Sequence, residues 1–361
     1  MLLLLQSSDA LRLKDIGVTP GEVRSGSIRL GTDDPVEHPP RTRALTRKQS
    51  SLLEPTKRVD AMRTVASTLA SFGVAALIAL VPVPLRAEED GPTPERVTFM
   101  SADGRTVLVG YLYRPTTMSA PRVPAVVMMH GRAGPYSERA NGIYDASTLS
   151  LRHKAWGREW ADAGYIAILV DGFGPRGYPK GFPRFSYDRR PEELNEVTVR
   201  PLDAYGALAY LRSRSDVMPD RIGIQGWSNG GSAAISAIAA DVSGVASSTA
   251  ATGFRAALVF YPACGLKGQF DEKPFQPYAP TLVFHGTGDE EVSYKRCAAL
   301  VNRSRENGAN IEITLYPGAT HSFDSPSRKR QKVDANSTAT TDAVERSLRF
   351  FAQHLGVATH P

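Results

Sequence analysis

The chain has 361 residues, 42% of them hydrophobic and 22% charged, with 43 Lys and Arg against 37 Asp and Glu. That length suits one large domain and hardly two, and that composition excludes a chain that is disordered or fibrous over most of its length. Residues 1–87 hold 12 Lys and Arg against 8 Asp and Glu, which leaves 31 against 29 beyond them, so the rest of the chain has no basic excess to recommend nucleic acid as a partner.

Residues 1–61 are polar, rich in Pro and charge, and without a core period, which predicts a disordered extension or a misassigned start ahead of Met62. Lys57, Arg58 and Arg63 precede an uncharged stretch from Thr64 to Leu85. A basic region, an apolar region and a stop at Pro82 and Pro84 read as a secretory signal over 62–87, with Ala87 as its last residue. The alternative is an uncleaved anchor, since the 64–85 stretch is just long enough to cross a bilayer. That is the one route by which a membrane enters as a partner. Either reading exports residues 88–361, to the periplasm or medium in the first case and tethered outside the cytoplasm in the second.

Beyond residue 88 the apolar runs predict strands near 94–101, 105–113, 123–129, 165–171, 221–226, 256–261, 280–285 and 310–316. Helical patterns fall near 148–163, 197–215, 229–241, 293–307 and 338–354. Two hairpin-like strands followed by strand–helix alternation predict an α/β fold, an eight-stranded, mostly parallel sheet with helices on both faces.

Taken in order, the third strand runs into His130-Gly131-Arg132-Ala133-Gly134, a Gly-rich loop suited to supplying a main-chain donor, for which Arg132 is preferred over Gly131. After the fourth strand, residues 173–195 carry Pro, Gly and five aromatics without a period. This segment either lines a pocket near the carboxyl ends of the strands or packs as a surface loop. Phe173 and Arg176 are its candidate pocket residues, with Trp227 further on. Arg176 either meets a substrate carboxylate or holds the loop by hydrogen bonds.

Arg221–Gln225 and Gly231–Ala240 flank Gly226-Trp227-Ser228-Asn229-Gly230 as a buried strand and a small-residue helix. G-x-S-x-G between a strand and a helix places a serine on a sharp, strained turn, so Ser228 is the candidate nucleophile and the Asn229 amide a candidate oxyanion donor. Asp289 follows the strand ending at Gly286, and His321 lies in the loop after the strand 311–316. A neutral hydroxyl is a weak nucleophile. It needs a histidine to take its proton and a carboxylate to fix the imidazole tautomer, and Ser228, Asp289 and His321 occur in the order that this fold uses. Singly, each has a plain structural reading as a turn serine, a helix cap or a loop histidine. Glu290 and Glu291 are rival carboxylates, while His130 and His285 read as structural. Cys264 and Cys297 either form a disulfide that tethers the Asp289 loop or remain buried thiols. Ser327–Lys332 reads as a solvated basic loop. No metal-binding or dinucleotide motif is present, so no cofactor is expected, and the sequence sets no oligomeric state.

These residues resemble the dienelactone hydrolase family of alpha/beta hydrolases over roughly 92–355. The resemblance rests on His130-Gly131, Asp171-Gly172-Phe173-Gly174-Pro175-Arg176-Gly177, Gly226-Trp227-Ser228-Asn229-Gly230-Gly231, Gly288-Asp289 and Thr320-His321-Ser322-Phe323. It implies an alpha/beta-hydrolase catalytic domain over 88–361 and hydrolysis of a small-molecule carboxylic ester or lactone. The namesake enzymes carry Cys where this chain has Ser228, which points to a serine carboxylesterase branch. The elbow and the Asp-to-His segment are also similar to prolyl-oligopeptidase-type peptidases, which implies peptide hydrolysis as the alternative. A hydrolase fold kept as a non-catalytic binding protein is a third.

Overall fold

Eight short runs of apolar residues form one sheet in the order β1-β2-β4-β3-β5-β6-β7-β8. The computed structural model describes residues 92–240, 248–271 and 273–356, so the expectations for residues 1–61 and for the leader or anchor at 62–87 lie outside the described residues. The strands are β1 (Glu95–Met100), β2 (Val107–Tyr113), β3 (Val123–Met129), β4 (Ile166–Asp171), β5 (Val217–Trp227), β6 (Ala257–Phe260), β7 (Thr281–Gly286) and β8 (Ile311–Tyr316). β1 and β2 pair antiparallel with each other and β2 with β4, and every pair from β4 to β8 is parallel. This is the alpha/beta-hydrolase arrangement that the sequence predicts.

The central strands are buried on both faces because helices cover both. α1 (Leu151–Asp162) and α6 (Asp334–Leu355) lie on one side, and α2 (Arg200–Arg212), α3 (Asn229–Ala237) and α4 (Tyr294–Glu306) on the other. Alternate residues of β3 divide accordingly. Val126 and Met128 join Trp156, Trp160 and Phe351, while Ala125, Val127 and Met129 join Ala204, Leu208 and Ala233. All of β3 is buried, which is why it reads as a continuous apolar run and not as an alternating one.

The element boundaries differ from the predicted ones where local pattern gives way to pairing and capping. β5 begins at Val217, four residues early, because Val217 pairs with Val123 ahead of a register shift. Ser327–Lys332 is not wholly a loop: Arg328–Gln331 winds into the short helix α5, and Arg330 turns inward to Glu290 and the Thr320 hydroxyl, each at 2.9 Å. α6 starts at Asp334, and Asn336, inside its first turn, accepts the Thr320 amide at 2.8 Å.

Candidate active site

Four loops at the carboxyl ends of parallel strands converge on one point. Ser228 joins β5 directly to α3 with φ 52° and ψ −117°, a conformation that costs a side-chain-bearing residue strain of order 1–3 kcal/mol and holds its hydroxyl away from both elements. Its amide donates to the Phe260 carbonyl at 2.9 Å and its carbonyl accepts the Ser232 amide at 2.9 Å, so the turn is fixed from both sides. Tyr261 (φ 37°) and Ser322 (φ 62°) share the left-handed region. Three strained non-glycine residues are therefore gathered around one centre.

His321 lies between Ser228 and Asp289. Its Nε2 stands 3.1 Å from Ser228 Oγ and its Nδ1 2.8 Å from Asp289 Oδ2. Asp289 is held in turn by the amides of Glu291 and Val292, which donate to Oδ1 at 2.8 and 2.9 Å. With Nδ1–H donating to the carboxylate, Nε2 is left to accept the serine proton. The ring is braced by the edge of Tyr261, with centroids 4.7 Å apart. The structure thus brings Ser228, His321 and Asp289 into one hydrogen-bonded line.

The rival carboxylates have other partners. Glu290 accepts the His321 main-chain amide at 2.9 Å and Arg330 at 2.9 Å. Burial opposes its ionisation, but these donors outweigh it and bring its pKa down to about 2. Glu291 is paired with Arg132 (2.9 Å) and Arg184 (2.7 Å), and it stands 3.7 Å from His321 Nε2, on the wrong nitrogen to fix the tautomer. His130 is buried, touches Phe173 edge-on and accepts the Gly172 amide at 3.3 Å; burial pushes its pKa well below 6.5. His285 is buried at the end of β7.

Asn229 is the first residue of α3, so its amide has no acceptor one turn earlier in the helix. Its side chain donates to Glu196 at 3.1 Å and accepts from Arg200 at 2.6 Å. Arg132 sits across from the elbow. A Cβ on its neighbour Gly131 would approach the Trp227 carbonyl to 3.2 Å, which shows how closely this loop packs against the turn that carries Ser228.

A cavity of about 360 Å³ opens over Ser228, lined by Arg132, Asn229, Glu291 and Val292 and by residues of two further segments. One is the 173–195 segment, as expected, but through Phe185, Tyr187 and Arg190 and not through Phe173 or Arg176, the two candidates within it. Phe173 is fully buried between His130, Phe182 and Arg200. Arg176 holds the loop: it pairs with Asp203 at 2.8 Å and donates to the Gly172 carbonyl at 2.8 Å. Trp227, also fully buried, turns to the opposite side of β5 from the cavity and donates to Asp324. None of the three lines the cavity.

The second segment is 263–271, whose Cys264 is joined to Cys297 of α4 by a disulfide, with Cα atoms 5.0 Å apart. The bond ties the cavity wall to the helix that follows the Asp289 loop. Replacing both cysteines by serine is expected to lower the unfolding free energy by about 3–4 kcal/mol, from loop-closure entropy, for a sequence separation of 33. Urea unfolding measures this; an unchanged midpoint would mean that packing alone holds the wall.

Sequence reasoning missed Glu196, Glu291 as a partner of Arg132, and Asp324. Each is a single acid without periodicity, and only the folded chain shows what it meets.

Comparison with known proteins agrees with this geometry. The model of the dienelactone hydrolase family matches residues 108–355. A "Probable 2-oxo-3-(5-oxofuran-2-ylidene)propanoate lactonase" of a Bradyrhizobium species is 27% identical over 222 residues, covering 60% of this chain and 78% of that one. Human dipeptidyl peptidase 8 is 27% identical over 259 residues, covering 66% of this chain and 27% of its own length. Esterase 2 of the planctomycete Thermogutta terrifontis, with propionate bound, has the same fold: TM-score 0.53, 19% identity, 75% of this chain and 97% of that one. With the family model spanning every strand from β2 onward and the loops that carry Ser228, Asp289 and His321, the chain belongs to the dienelactone hydrolase family and is a carboxylic ester hydrolase of alpha/beta-hydrolase fold.

Proposed function

We propose that this protein is a serine hydrolase that cleaves small carboxylic esters or lactones through an acyl-enzyme. Ser228 attacks the carbonyl carbon while His321 Nε2 takes its proton, Asp289 holds the Nδ1–H tautomer and stabilises the imidazolium, and the amides of Asn229 and Arg132 receive the oxyanion. His321 then protonates the leaving alkoxide, and water activated by the same imidazole releases the acid. The observation that carries this reading is the continuous line from Ser228 Oγ through His321 to Asp289, at 3.1 and 2.8 Å, at the floor of a cavity sized for a small molecule.

Intact-mass detection of a fluorophosphonate adduct tests it. One adduct on the wild type and none on Ser228→Ala is the expected result. A folded wild type that takes no adduct would favour a binding protein on this fold. A peptidase is the second reading, favoured by the similarity to dipeptidyl peptidase 8 over 66% of this chain. Faster turnover of aminoacyl anilides than of simple esters would select it. Export through a leader at 62–87 belongs to the same proposal, and mature protein that still yields peptides from 1–61 would overturn it.

A further inference from the structure

Three residues beyond His321 the chain buries a carboxylate that the triad does not use. Asp324 is fully buried. Its Oδ2 accepts from Nε1 of Trp156 and of Trp227, both at 2.8 Å, its Oδ1 accepts from the Tyr261 hydroxyl at 2.5 Å, and Arg152 Nε lies 3.3 Å from Oδ1. The four partners come from three parts of the chain. Trp227 is the residue before Ser228, Tyr261 follows β6 and braces the His321 ring, and Trp156 and Arg152 belong to α1. A buried ion pair is seldom the most stable filling for a core, so its place between the nucleophile turn and the histidine loop calls for a reason.

The charges around His321 supply one. Asp289 faces Nδ1, Glu291 lies 3.7 Å from Nε2, Glu290 accepts the main-chain amide, and His285 stands behind Asp289 at 3.8 Å. Three cations approach through those acids: Arg132 on Glu291, Arg330 on Glu290, and Arg184 on both. Arg152 approaches from the remaining side, 5.9 Å from the centroid of the Tyr261 ring that touches His321. Asp324 is to Arg152 what the two glutamates are to Arg132 and Arg330.

We propose that Asp324 is a positioning residue for the Ser228–His321 pair: it pins Trp227 and Tyr261 on either side of that pair and neutralises Arg152, so that His321 can become a cation when it takes the serine proton. This rests on the proposed triad. Burial works against the charge on Arg152, but Tyr261 and Asp324 outweigh it and raise its pKa, so the guanidinium stays charged at any working pH.

The acid limb of kcat/KM reports protonation of the histidine base and separates this role from mere support. Asp324→Asn takes away the ion-pair partner of Arg152, which disfavours imidazolium. The limb is expected to move down by about 0.5–1 pH unit. Arg152→Met leaves the carboxylate held by two indoles and a phenol, which favours imidazolium, and the limb is expected to move up by a similar amount. The double variant should return to within about 0.2 unit of wild type. Limbs that stay in place, or that move the same way in both single variants, would overturn the proposal. If Asp324→Asn does not fold, the upward shift in Arg152→Met decides alone. Fluorophosphonate labelling of the wild type keeps the two readings apart. An unlabelled wild type removes the triad and this proposal with it, whereas a labelled wild type with unmoved limbs removes this proposal alone.

Discussion

Asp289→Asn is expected to lower kcat by about 10⁴-fold, while Glu291→Gln, two residues away, should cost less than about tenfold. The difference follows from which imidazole nitrogen each acid meets. Asp289 receives Nδ1–H at 2.8 Å, whereas Glu291 lies 3.7 Å from Nε2 and is committed to Arg132 and Arg184. An amide at 289 can donate to Nδ1 and so select the tautomer that places the proton on Nε2, where it blocks acceptance from Ser228. Steady-state kinetics on one activated ester, with binding of the fluorophosphonate followed in parallel, measures both variants. A larger loss in Glu291→Gln than in Asp289→Asn would transfer the role of the acid to Glu291.

Gly230→Ala is expected to cost on the order of 4–5 kcal/mol of stability, a fall in Tm of roughly 10–15 °C. The first turn of α3 lies so close to the end of β3 that a Cβ on Gly230 would enter the van der Waals envelope of the Met129 and His130 carbonyl oxygens. Those oxygens belong to the main chain at the end of a central strand and just past it, and cannot step aside as a side chain would. Gly226, at the other end of the motif, meets the Gly230 carbonyl in the same way. Ser228→Ala, between them, adds no atom and should melt near wild type. Thermal unfolding of the two variants side by side tests the contrast, and a Gly230→Ala protein within a few degrees of wild type would show that the turn can open.

That contrast also explains what was legible in the sequence. The elbow is readable because its glycines answer a local demand, and the proposed triad because Ser228, Asp289 and His321 follow three strands whose apolar runs are themselves plain. Strand existence depends on patterns a few residues long, and all eight strands lie where those patterns put them. The pocket residues were not legible. Phe173, Arg176 and Trp227 stand close in sequence to the candidate catalytic loops, but which way a side chain turns depends on what the other loops leave free. Of the two readings open for Arg176, holding its loop by hydrogen bonds is the one the structure bears out. Phe173 found an aromatic pocket, Arg176 found Asp203, and Trp227 took the far face of β5. Phe185, 76% exposed at the cavity rim, had no periodic signal to distinguish it from other loop aromatics. Asp324 was hidden for the same reason, since nothing near it in sequence announces two indoles, a phenol and a guanidinium.

The link between Arg132 and Glu291 bears on how such an enzyme can be re-engineered. Arg132 belongs to the loop after β3, Glu291 to the loop after β7, and both are tied to the 173–195 segment, through the Phe182 carbonyl at 2.7 Å and Arg184 at 2.7 Å. Three stretches of chain that are far apart in sequence therefore form one inheritable block. A segment grafted from a relative to change acyl preference would arrive without the partners that hold the loops after β3 and β7 in register. Crossovers that exchange all three together should keep turnover, and those that exchange the middle one alone should lose it even when the triad is untouched.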